Sequence, residues 1–400
     1  MAQRGCPDAV AVIGGGYVGL HDAVLAARRG VGEVLVVDID ESVVERINSG
    51  DASRLHVRDH YILEHWDEVK DRIRATTSYS EARGVEAFIV AVQTPLRGGR
   101  VDYSPLKRVA EMLSRVVEPG ILVSSETTIY PGGTLELLGT PLSRITGYRL
   151  DDEIMLAHVP ERIDPGNRRW TPENIPRVVG AVGPRSMEAA LRLYRDCLGL
   201  PVHPVGDIRV AEASKLLENA FRLLNISFVN ELKRAFDRMG IDVREVVEAA
   251  STKPFGFMPF KPGPYAGGPC IPKDSRMLEE ATGSLLLRVA RHINEGQPLY
   301  YAALVLREAR RRGASRLLFY GLGYKPNAYT AVESPVLKVI EALRELDPSL
   351  EVRSYDPAIP AVSDFNSESE ALEWADLVVR WGYKDRGLGA RVPIVELENL

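Results

Sequence analysis

The residue of this 400-residue chain best suited to covalent chemistry is Cys270, which lies in the glycine- and proline-rich segment Pro264–Asp274. The glycine pair of this segment allows backbone to pass close to a ligand, and its prolines restrict its shape. A thiol held in this way, with Lys273 beside it in sequence, is typical of a positioned nucleophile. A small buried apolar residue is the alternative interpretation, because Cys is among the most buried residue types.

A second chemical motif lies at the start of the chain, where the apolar run Ala9–Ile13 leads into GGGYVG and a helix-like stretch. The next strand-like run ends at Asp38, about 20 residues on, as in dinucleotide-binding folds. Gly14 would make the tight turn, Gly16 would admit the pyrophosphate, and Gly19 would let helix and strand pack closely. Asp38 would accept hydrogen bonds from a ribose diol and repel a 2′-phosphate, which favours NAD over NADP. A Rossmann-like fold that binds no dinucleotide is the alternative.

Further strand-like runs alternate with helices, and three of them end close to Thr94, Thr128 and Glu161. Ligands of parallel α/β sheets lie beyond the carboxyl ends of the strands, so these residues are candidate site groups. Helix capping or turn formation is the alternative for the two threonines, and a surface position is the alternative for Glu161. A strand at 177–182 and a helix at 186–198 complete the predicted first layer.

One long helix is predicted from Val210 to Met239, because apolar residues recur at helical spacing and no Pro or Gly interrupts them. Lys215, Asn219 and Arg222 are spaced by four and three residues, so they share one face. A solvated face, a ligand site and a subunit contact are the open interpretations of this stripe. The helix is long enough to connect two α/β domains and to pair with a copy of itself.

The C-terminal part repeats the α/β pattern with a partial glycine motif. Helices are predicted from Ser275 to about Arg312, and a strand then runs into GLGYKP, which has two glycines, Gly321 and Gly323. The incomplete motif favours a nucleotide ligand without nicotinamide. The predicted fold class is α/β, with two Rossmann-like parallel-sheet domains joined by a central helical domain that contains the long helix.

Composition argues against several classes of protein. Lys and Arg number 50 and Asp and Glu number 55, a net charge of −5, so no nucleic-acid surface is predicted. Cys6, Cys197 and Cys270 are widely spaced and odd in number, which predicts neither a disulfide framework nor a metal site and fits a reducing compartment. No signal core or membrane-spanning run is present in the sequence. We therefore predict a cytoplasmic protein without metal or membrane partner.

Seven motifs together resemble the UDP-glucose/GDP-mannose dehydrogenase family over nearly the whole chain. In chain order they are GGGYVG at 14–19, VQTP at 92–95, TTIYPG at 127–132, PER at 160–162, KLLENAFR at 215–222, GGPCIPKD at 267–274 and GLGYKP at 321–326. The resemblance implies an NAD-binding Rossmann domain at 1–204, a central helical dimerisation and catalytic domain at 205–300, and a nucleotide-sugar-binding Rossmann-like domain at 301–400. It also implies a homodimer through the 210–239 helix and a role in polysaccharide biosynthesis.

The family oxidises the C6 alcohol of a nucleotide sugar to a carboxylate with two NAD per turnover, and the resemblance implies roles for the matching residues. Cys270 would add to the aldehyde formed first, giving a thiohemiacetal whose oxidation yields a thioester. Lys215 and Asn219 would hold the C6 oxygen. Asp274 would orient or deprotonate water and support Lys215, and Glu161 and Thr128 would position or activate water for hydrolysis.

The resemblance also implies two sets of binding residues. Those for the cofactor are Gly14, Gly16, Tyr17, Val18, Gly19, Asp38, Thr94, Thr128 and Lys273. Those for the substrate are Glu161, Arg162, Ile163, Lys215, Asn219, Arg222, Gly267, Tyr324 and Lys325.

The sugar is predicted from the surroundings of Asn219 and Cys270. The sequence ENAFR around Asn219, and Pro262-Gly-Pro264 before the cysteine, are similar to the UDP-N-acetylhexosamine branch, which includes the UDP-N-acetylmannosamine 6-dehydrogenases. The Cys-x-Pro-Lys-Asp ending is more similar to the UDP-glucose branch. We favour UDP-N-acetylmannosamine as the substrate, with UDP-glucose as the alternative.

Four residues depart from the family pattern. Pro269 replaces a His or Ser, Tyr265 replaces a Gly and would narrow the sugar pocket, and Val43 and Val332 replace basic residues near the cofactor. Each charged hydrogen bond lost contributes about 1.5–3 kcal/mol, so weaker NAD binding is expected. A nucleotide-sugar-binding protein with weak or no turnover is therefore a second hypothesis. An alcohol dehydrogenase that stops at the aldehyde is a third, which Cys270 disfavours.

Overall fold

The computed structural model describes residues 6–326, 328, 330–383, 387–389 and 391–400. These residues form two compact units, of which the first ends at Leu217 and the second begins at Glu218. The helix Ile208–Met239 crosses this boundary and confirms the predicted long helix. Lys215 therefore belongs to the first unit, and Asn219 belongs to the second.

The first unit contains ten strands and the start of the long helix among its described residues. The strands are β1 (Ala9–Ile13), β2 (Glu33–Val37), β3 (Ile73–Thr76), β4 (Ala87–Val90), β5 (Leu96–Arg97), β6 (Arg100–Val101), β7 (Ile121–Ser125), β8 (Ile154–His158), β9 (Arg177–Ala181) and β10 (Val202–Pro204). The α-helices are α1 (Tyr17–Arg28), α2 (Glu41–Asn48), α3 (His60–Val69), α4 (Ser104–Leu113), α5 (Thr140–Thr146), α6 (Pro184–Leu191) and α7 (Ile208–Met239). Two π-helical turns lie at Leu135–Gly139 and Arg192–Cys197.

Eight of these strands form one sheet in the order β10-β9-β8-β7-β4-β1-β2-β3. Neighbouring strands of the sheet pair in parallel from β8 through β7, β4, β1 and β2 to β3. Val10 of β1 lies opposite Val34 of β2 and Ala87 of β4. Only the β8–β9 pairing is antiparallel, so β9 and β10 run against the rest. Apolar clusters cover both faces of the sheet, one around Trp66 and the other around Phe88. Burial on both faces explains why the central strands are continuous apolar runs.

The second unit has a smaller parallel sheet in the order β12-β11-β13-β14. Its strands are β11 (Arg316–Tyr320), β12 (Glu351–Tyr355), β13 (Leu377–Arg380) and β14 (Ile394–Glu396). Its further helices are α8 (Val243–Ser251), α9 (Ile271–Thr282), α10 (Leu285–Glu295), α11 (Gln297–Arg312), α12 (Pro335–Leu346) and α13 (Glu368–Trp374). The apolar core around Tyr301 and Phe319 joins α11 and α12 to the sheet. The predicted α/β class with two Rossmann-like sheets and a long helix is thus confirmed.

The prediction that the cysteines form no disulfide is wrong for two of them. Cys6 and Cys197 are disulfide-bonded, with their Cα atoms 4.9 Å apart and a sequence separation of 191. Both side chains pack against the same apolar cluster of the first unit, a proximity that only the folded chain creates. Because this disulfide is present, cysteine usage no longer argues for a reducing compartment. It does not exclude the inside of a cell either, since intracellular proteins of hyperthermophiles also contain disulfides.

Two predicted helices have different bounds in the structure. The helix expected near Ser275 begins at Ile271, because Pro272 suits the first turn of a helix and Cys270 takes the N-cap position. The helix expected at 186–198 is α6 followed by a π-helical turn. A helix long and apolar enough to cross a membrane does not occur in the part of the chain that the structure describes.

Candidate active site

The turn between β1 and α1 has the geometry that the glycine motif predicts. Gly14 has φ +101°, and a Cβ there would lie 2.9 Å from the carbonyl oxygen of Ala91. A Cβ on Gly19 would lie 1.8 Å from the carbonyl oxygen of Gly14, so only glycine fits. Gly16 is the N-cap of α1 and has no side chain to cap it, so the first turn of the helix presents N–H groups to an anion. These residues fit a dinucleotide pyrophosphate.

Asp38 lies at the end of β2 beside this turn. Its Oδ2 accepts a 2.6 Å hydrogen bond from the Gly15 N–H, and its Oδ1 accepts one of 2.9 Å from the Asp40 N–H. The residue is half-buried, so it is not sealed inside the fold. Val43 lies 2.9 Å from the position of a Gly15 Cβ and packs against the core. The expected basic position is therefore occupied by an apolar side chain that supports the turn.

Sequence reasoning missed a polar network behind this turn. The Tyr17 hydroxyl donates to Asp59 Oδ2 at 2.7 Å, and the buried His21 places its Nε2 3.2 Å from Asp59 Oδ1. Burial alone would raise the pKa of Asp59, but the hydrogen bonds from His21 and Tyr17 and the charge of His21 hold that pKa well below its usual range. Asp59 also accepts from the Gly166 N–H at 3.4 Å, in the loop that follows Glu161. A histidine inside the apolar pattern of α1 was the available signal.

The predicted strand-end residues come together in part. The buried Thr94 hydroxyl donates to the carbonyl oxygen of Thr128 at 3.0 Å, which joins the ends of β4 and β7. Glu161 follows β8 and is 4% exposed, so the surface interpretation of this residue is wrong. Its Oε1 accepts a hydrogen bond from the Ile163 N–H at 2.5 Å, and the guanidinium of Arg162 donates to the carbonyl oxygen of Pro176.

Lys215 lies in the first unit, near the buried His158. Burial, and secondarily the charge of Lys215, lower the pKa of His158 to about 3, so this imidazole is neutral at pH 7. His158 Nδ1 is 2.9 Å from the hydroxyl of Thr134. The buried Glu212 accepts hydrogen bonds from the N–H groups of Thr134, at 2.8 Å, and Gly132. These contacts fix the start of α7, and with it Lys215, against the turn that follows Thr128.

Cys270 lies in the second unit as the exposed N-cap residue of α9, so the interpretation as a buried apolar residue is wrong. A helix N-terminus favours negative charge, the charge that a thiolate carries. One turn on, Asp274 is fully buried and accepts hydrogen bonds from Asn219 Nδ2 at 2.7 Å and from Lys273 Nζ at 2.5 Å. The structure therefore brings the predicted Asn219, on α7, into contact with Asp274, which lies beside Lys273 in the first turn of α9.

The glycine pair before Cys270 lets the loop pass close to the residues that precede α12. A Cβ on Gly267 would lie 2.2 Å from the carbonyl oxygen of Glu333. Gly268 has φ +84°, its N–H donates to the same carbonyl at 3.2 Å, and a Cβ there would lie 2.6 Å from the Tyr324 ring. Lys325 Nζ lies 5.8 Å from the centre of the Tyr324 ring. Gly267, Tyr324 and Lys325 are thus neighbours, whereas Arg222 is exposed on α7.

Tyr265 is held rigidly beside the same loop. Its hydroxyl donates to Glu333 Oε2 at 3.1 Å, and Lys338 Nζ lies 4.8 Å from its ring centre and 3.0 Å from the same carboxylate oxygen. Burial, followed by the charge of Glu333, raises the pKa of Tyr265, so the phenol stays a hydrogen-bond donor. Val332, next to Glu333, is 52% exposed, and Pro269 is also exposed.

The glycine turn, the helix N-terminus and the carboxylate at the end of β2 define a dinucleotide-binding fold. The chain belongs to the UDP-glucose/GDP-mannose dehydrogenase family: the NAD binding domain of the family matches residues 8–198, and its central domain matches residues 209–296. The protein is therefore an NAD-dependent nucleotide-sugar dehydrogenase, and the cofactor prediction is confirmed.

Named relatives cover most of the chain. It is 34% identical over 380 residues to the UDP-N-acetyl-D-mannosamine dehydrogenase of Pyrococcus horikoshii, spanning 92% of this chain and 88% of that protein. It is 32% identical over 362 residues to the UDP-N-acetyl-D-glucosamine 6-dehydrogenase of Pseudomonas aeruginosa, spanning 88% and 83%. A solved structure of the UDP-D-ManNAc dehydrogenase from Pyrococcus horikoshii matches with a TM-score of 0.86 at 29% identity, covering 98% of this chain and 100% of that one.

Proposed function

We propose that this enzyme catalyses the four-electron oxidation of the C6 hydroxyl of a UDP-sugar to the uronate through a covalent intermediate on Cys270. The observation that carries the proposal is the position of this thiol. It is exposed at the N-cap of α9, and one turn on in that helix the buried Asp274 accepts hydrogen bonds from the half-buried Asn219 and Lys273. A covalent thiol adduct explains how one enzyme can carry a substrate through two oxidations, because it retains the aldehyde.

The cofactor would be held by Gly14, Gly16 and Gly19 at the N-terminus of α1 and by Asp38 at its ribose, with further contacts from Tyr17, Val18, Thr94, Thr128 and Lys273. NAD supplies the hydride acceptor, so that one primary alcohol, one water and two NAD⁺ give one carboxylate, two NADH and three protons. The contact of Asp38 with Gly15 supports this assignment, because it fixes the carboxylate at the turn that would receive the cofactor.

The thiolate of Cys270 adds to the carbonyl carbon of the aldehyde, forming a C–S bond while the oxygen takes up a proton. Loss of hydride from this thiohemiacetal gives the thioester, and attack by water then releases the carboxylate and returns the thiol. In our proposal Lys215 and Asn219 hold the C6 oxygen, and Lys215 exchanges its proton. The 2.7 Å hydrogen bond to Asp274 supports the role of Asn219, because it fixes the orientation of the amide.

Hydrolysis of the thioester requires a base and an oriented water. We assign the base to Glu161, with Thr128 positioning the water and Asp274 supporting Lys215. Glu161 is buried and lies beyond the carboxyl end of β8, where ligands of parallel sheets bind. Contacts to the nucleotide sugar are assigned to Arg162, Ile163, Arg222, Gly267, Tyr324 and Lys325.

The substrate that we propose is UDP-N-acetylmannosamine, with UDP-glucose as the alternative. Relatives named for the oxidation of N-acetylated UDP-sugars support this choice. Tyr265 lies five residues before Cys270 and is clamped by Glu333 and Lys338, so it restricts the space next to the thiol loop. The hexose of any substrate must therefore fit beside the Tyr265 ring.

The test is the yield of NADH per sugar from UDP-N-acetylmannosamine, UDP-N-acetylglucosamine, UDP-glucose and GDP-mannose. We expect two NADH per molecule of one sugar, and a mass shift on a Cys270 peptide when the enzyme is quenched during turnover. Cys270→Ser should lower carboxylate release by at least about 10³-fold. One NADH per sugar, or wild-type carboxylate release by Cys270→Ser, would contradict the thioester mechanism.

We further propose three domains, at 1–204, 205–300 and 301–400, and a homodimer through the 210–239 helix. Phe221 and Phe228 on α7 are 43% and 58% exposed, and Leu285 and Leu286 on α10 are 70% and 65% exposed. Apolar surface of this extent on neighbouring elements is typical of a subunit interface. Sedimentation analysis should give a dimer for the wild type and a monomer for Phe228→Glu. A cytoplasmic location and a role in polysaccharide biosynthesis stay predictions.

A further inference from the structure

The segment 262–268, which leads to Cys270, resembles a strand in its burial but pairs with no other strand. Its even-numbered residues are buried, and the odd-numbered residues between them are half-buried. This alternation is typical of extended backbone. The segment nevertheless belongs to no sheet in the part of the chain that the structure describes. The polar groups of its backbone therefore need other hydrogen-bond partners.

Two buried asparagines supply several of these partners. On α7, Asn230 Oδ1 accepts a hydrogen bond from the Gly263 N–H at 2.9 Å. On α10, Asn294 Oδ1 accepts from the Ala266 N–H at 2.7 Å, and its Nδ2 donates to the carbonyl oxygen of Ala266 at 3.2 Å. Both asparagines are no more than 2% exposed. One side chain thus bonds both backbone groups of Ala266, as a neighbouring strand would.

Ala266 also lies at the base of the turn that carries the thiol. Together with Ile271, it packs in one apolar cluster with Leu223 of α7 and Ala290 of α10. The four residues between the two, Gly-Gly-Pro-Cys, leave this cluster and return to it, and Cys270 is exposed. Because both ends of the turn are held in one cluster, the position of Ala266 helps to set the position of the thiol.

Glu333 holds the residues on either side of Ala266. Its carboxylate accepts from the Tyr265 hydroxyl at 3.1 Å, and its carbonyl oxygen accepts from the Gly268 N–H at 3.2 Å. Glu333 has φ +49°, a left-handed conformation that residues with a side chain rarely adopt. Such conformations persist where the surroundings fix them, and they concentrate at functional sites. Glu333 is therefore a second hold on the segment that Asn294 holds.

We propose that Asn294 is a positioning residue for Cys270 that acts through the backbone of Ala266. Without the Asn294 amide, two backbone groups of a buried residue lose their partners, so the segment must move to satisfy them. The thiol then leaves the N-cap position of α9, where the helix N-terminus favours its thiolate. The consequence for turnover rests on the proposed function, whereas the hold on the thiol does not.

Alkylation of the full-length enzyme by iodoacetamide, without reductant, reports on Cys270 because the other two cysteines form the disulfide. The thiolate is the form that reacts, so the rate is measured against pH. In Asn294→Ala the half-maximal rate should move to higher pH, and the rate at pH 7 should fall about 2- to 5-fold. Asn48→Ala is the matched control, because Asn48 makes the same pair of hydrogen bonds, each at 2.8 Å, to Ala75 in the first unit. Its profile should match the wild type.

Tyr265→Phe provides a second variant in case Asn294→Ala does not fold, because it removes only the hydroxyl of a half-buried side chain. Its alkylation profile should move in the same direction by a smaller amount. Wild-type profiles in all folded variants of these two positions overturn the proposal. A shift in Asn48→Ala as large as that in Asn294→Ala also overturns it, since a general loss of stability would then be the cause.

Steady-state kinetics test the consequence for turnover. In Asn294→Ala, kcat should fall roughly 10- to 100-fold, because a small displacement of a reacting group is costly. The KM for NAD should stay at the wild-type value, since the NAD binding domain of the family matches residues 8–198. A wild-type kcat overturns this link. No turnover of any sugar, with the alkylation shift present, would contradict the proposed function alone. Two NADH per sugar without the shift would contradict this inference alone.

Discussion

The two Rossmann-like sheets of this enzyme carry turns that are locally alike and chemically different. In the first unit, the carboxylate of Asp38 accepts a 2.6 Å hydrogen bond from the N–H of Gly15 in the β1–α1 turn. In the second unit, Asp356 follows β12 and accepts a 2.6 Å hydrogen bond from the N–H of Leu322 in the turn after β11. In each case a glycine with positive φ, Gly14 or Gly321, opens the turn.

The turns differ in the exposure of the carboxylate and in how soon the following helix begins. Asp38 is half-buried, and α1 starts directly after Gly16. Asp356 is 1% exposed and also accepts from the Ala358 N–H and the Tyr383 hydroxyl, each at 2.8 Å. The following helix, α12, starts only at Pro335 and is capped by the Ser334 hydroxyl. The first turn is thus open to a dinucleotide, whereas the acidic residue of the second only stabilises the fold.

Among variants that test the difference between the two turns, Gly19→Ala is expected to have the largest effect, a loss of NAD affinity. The new Cβ would lie 1.8 Å from the carbonyl oxygen of Gly14, so α1 must move away from the turn. We expect NAD affinity to fall at least about 100-fold, or about 3 kcal/mol, measured by calorimetry. Gly206→Ala, where a Cβ meets no atom within 4 Å, is the matched control and should bind as the wild type does. Wild-type affinity in Gly19→Ala would show that the close contact is not needed for binding.

The second prediction is that Asp356→Asn lowers stability without changing NAD affinity. Asp356→Asn leaves an amide N–H₂ facing N–H or O–H donors, so we expect a loss of about 2–3 kcal/mol in the free energy of unfolding, measured with urea. NAD affinity at a temperature where the variant is folded should not change, because this carboxylate is sealed within the second unit.

Asp38→Asn is the counterpart in the first unit. Its partners are two backbone N–H groups at the surface of the turn, so stability should change little. NAD affinity should fall roughly 10-fold, and discrimination against NADP should shrink, because the repulsion of a 2′-phosphate is lost. If Asp356→Asn weakened NAD binding as strongly as Asp38→Asn does, the functional contrast between the two turns would be wrong.

The elements that sequence predicted best are those with a local cause. The apolar runs of β1, β2 and β7 and the uninterrupted α7 are fixed by patterns within each segment, and their bounds agree with the structure to within two residues. The glycine turn was predictable because its steric demands are local. The start of α9 at Ile271 was predictable from Pro272 but was placed four residues late.

The parts that sequence could not predict depend on residues far apart in the chain. The Cys6–Cys197 disulfide and the Asp22–Arg177 ion pair join positions separated by 191 and 155 residues. Asp22 and His21 were detectable only as polar residues in an apolar helix, without a sign of their partners. That Asp356 is sealed also depends on Tyr383, which the fold brings in from another strand end.

The smallest effect is expected from Asp59→Asn, which removes a support that acts on the first turn through Tyr17 and His21. The pKa of Asp59 is held below its usual value, so its contribution to stability is present above about pH 4 and is lost as the pH falls through the lowered value. We expect the variant to be about 1 kcal/mol less stable at pH 7, with the difference from the wild type shrinking on acidification, as measured by urea unfolding at each pH. Asp67→Asn, at an exposed position of α3, should follow the wild-type curve. NAD affinity should fall only a few-fold, because the Tyr17 hydroxyl loses its acceptor while the glycine backbone that makes the turn is unchanged. If the free energies of unfolding of the wild type and Asp59→Asn changed equally with pH, the charge of Asp59 would not stabilise the folded turn.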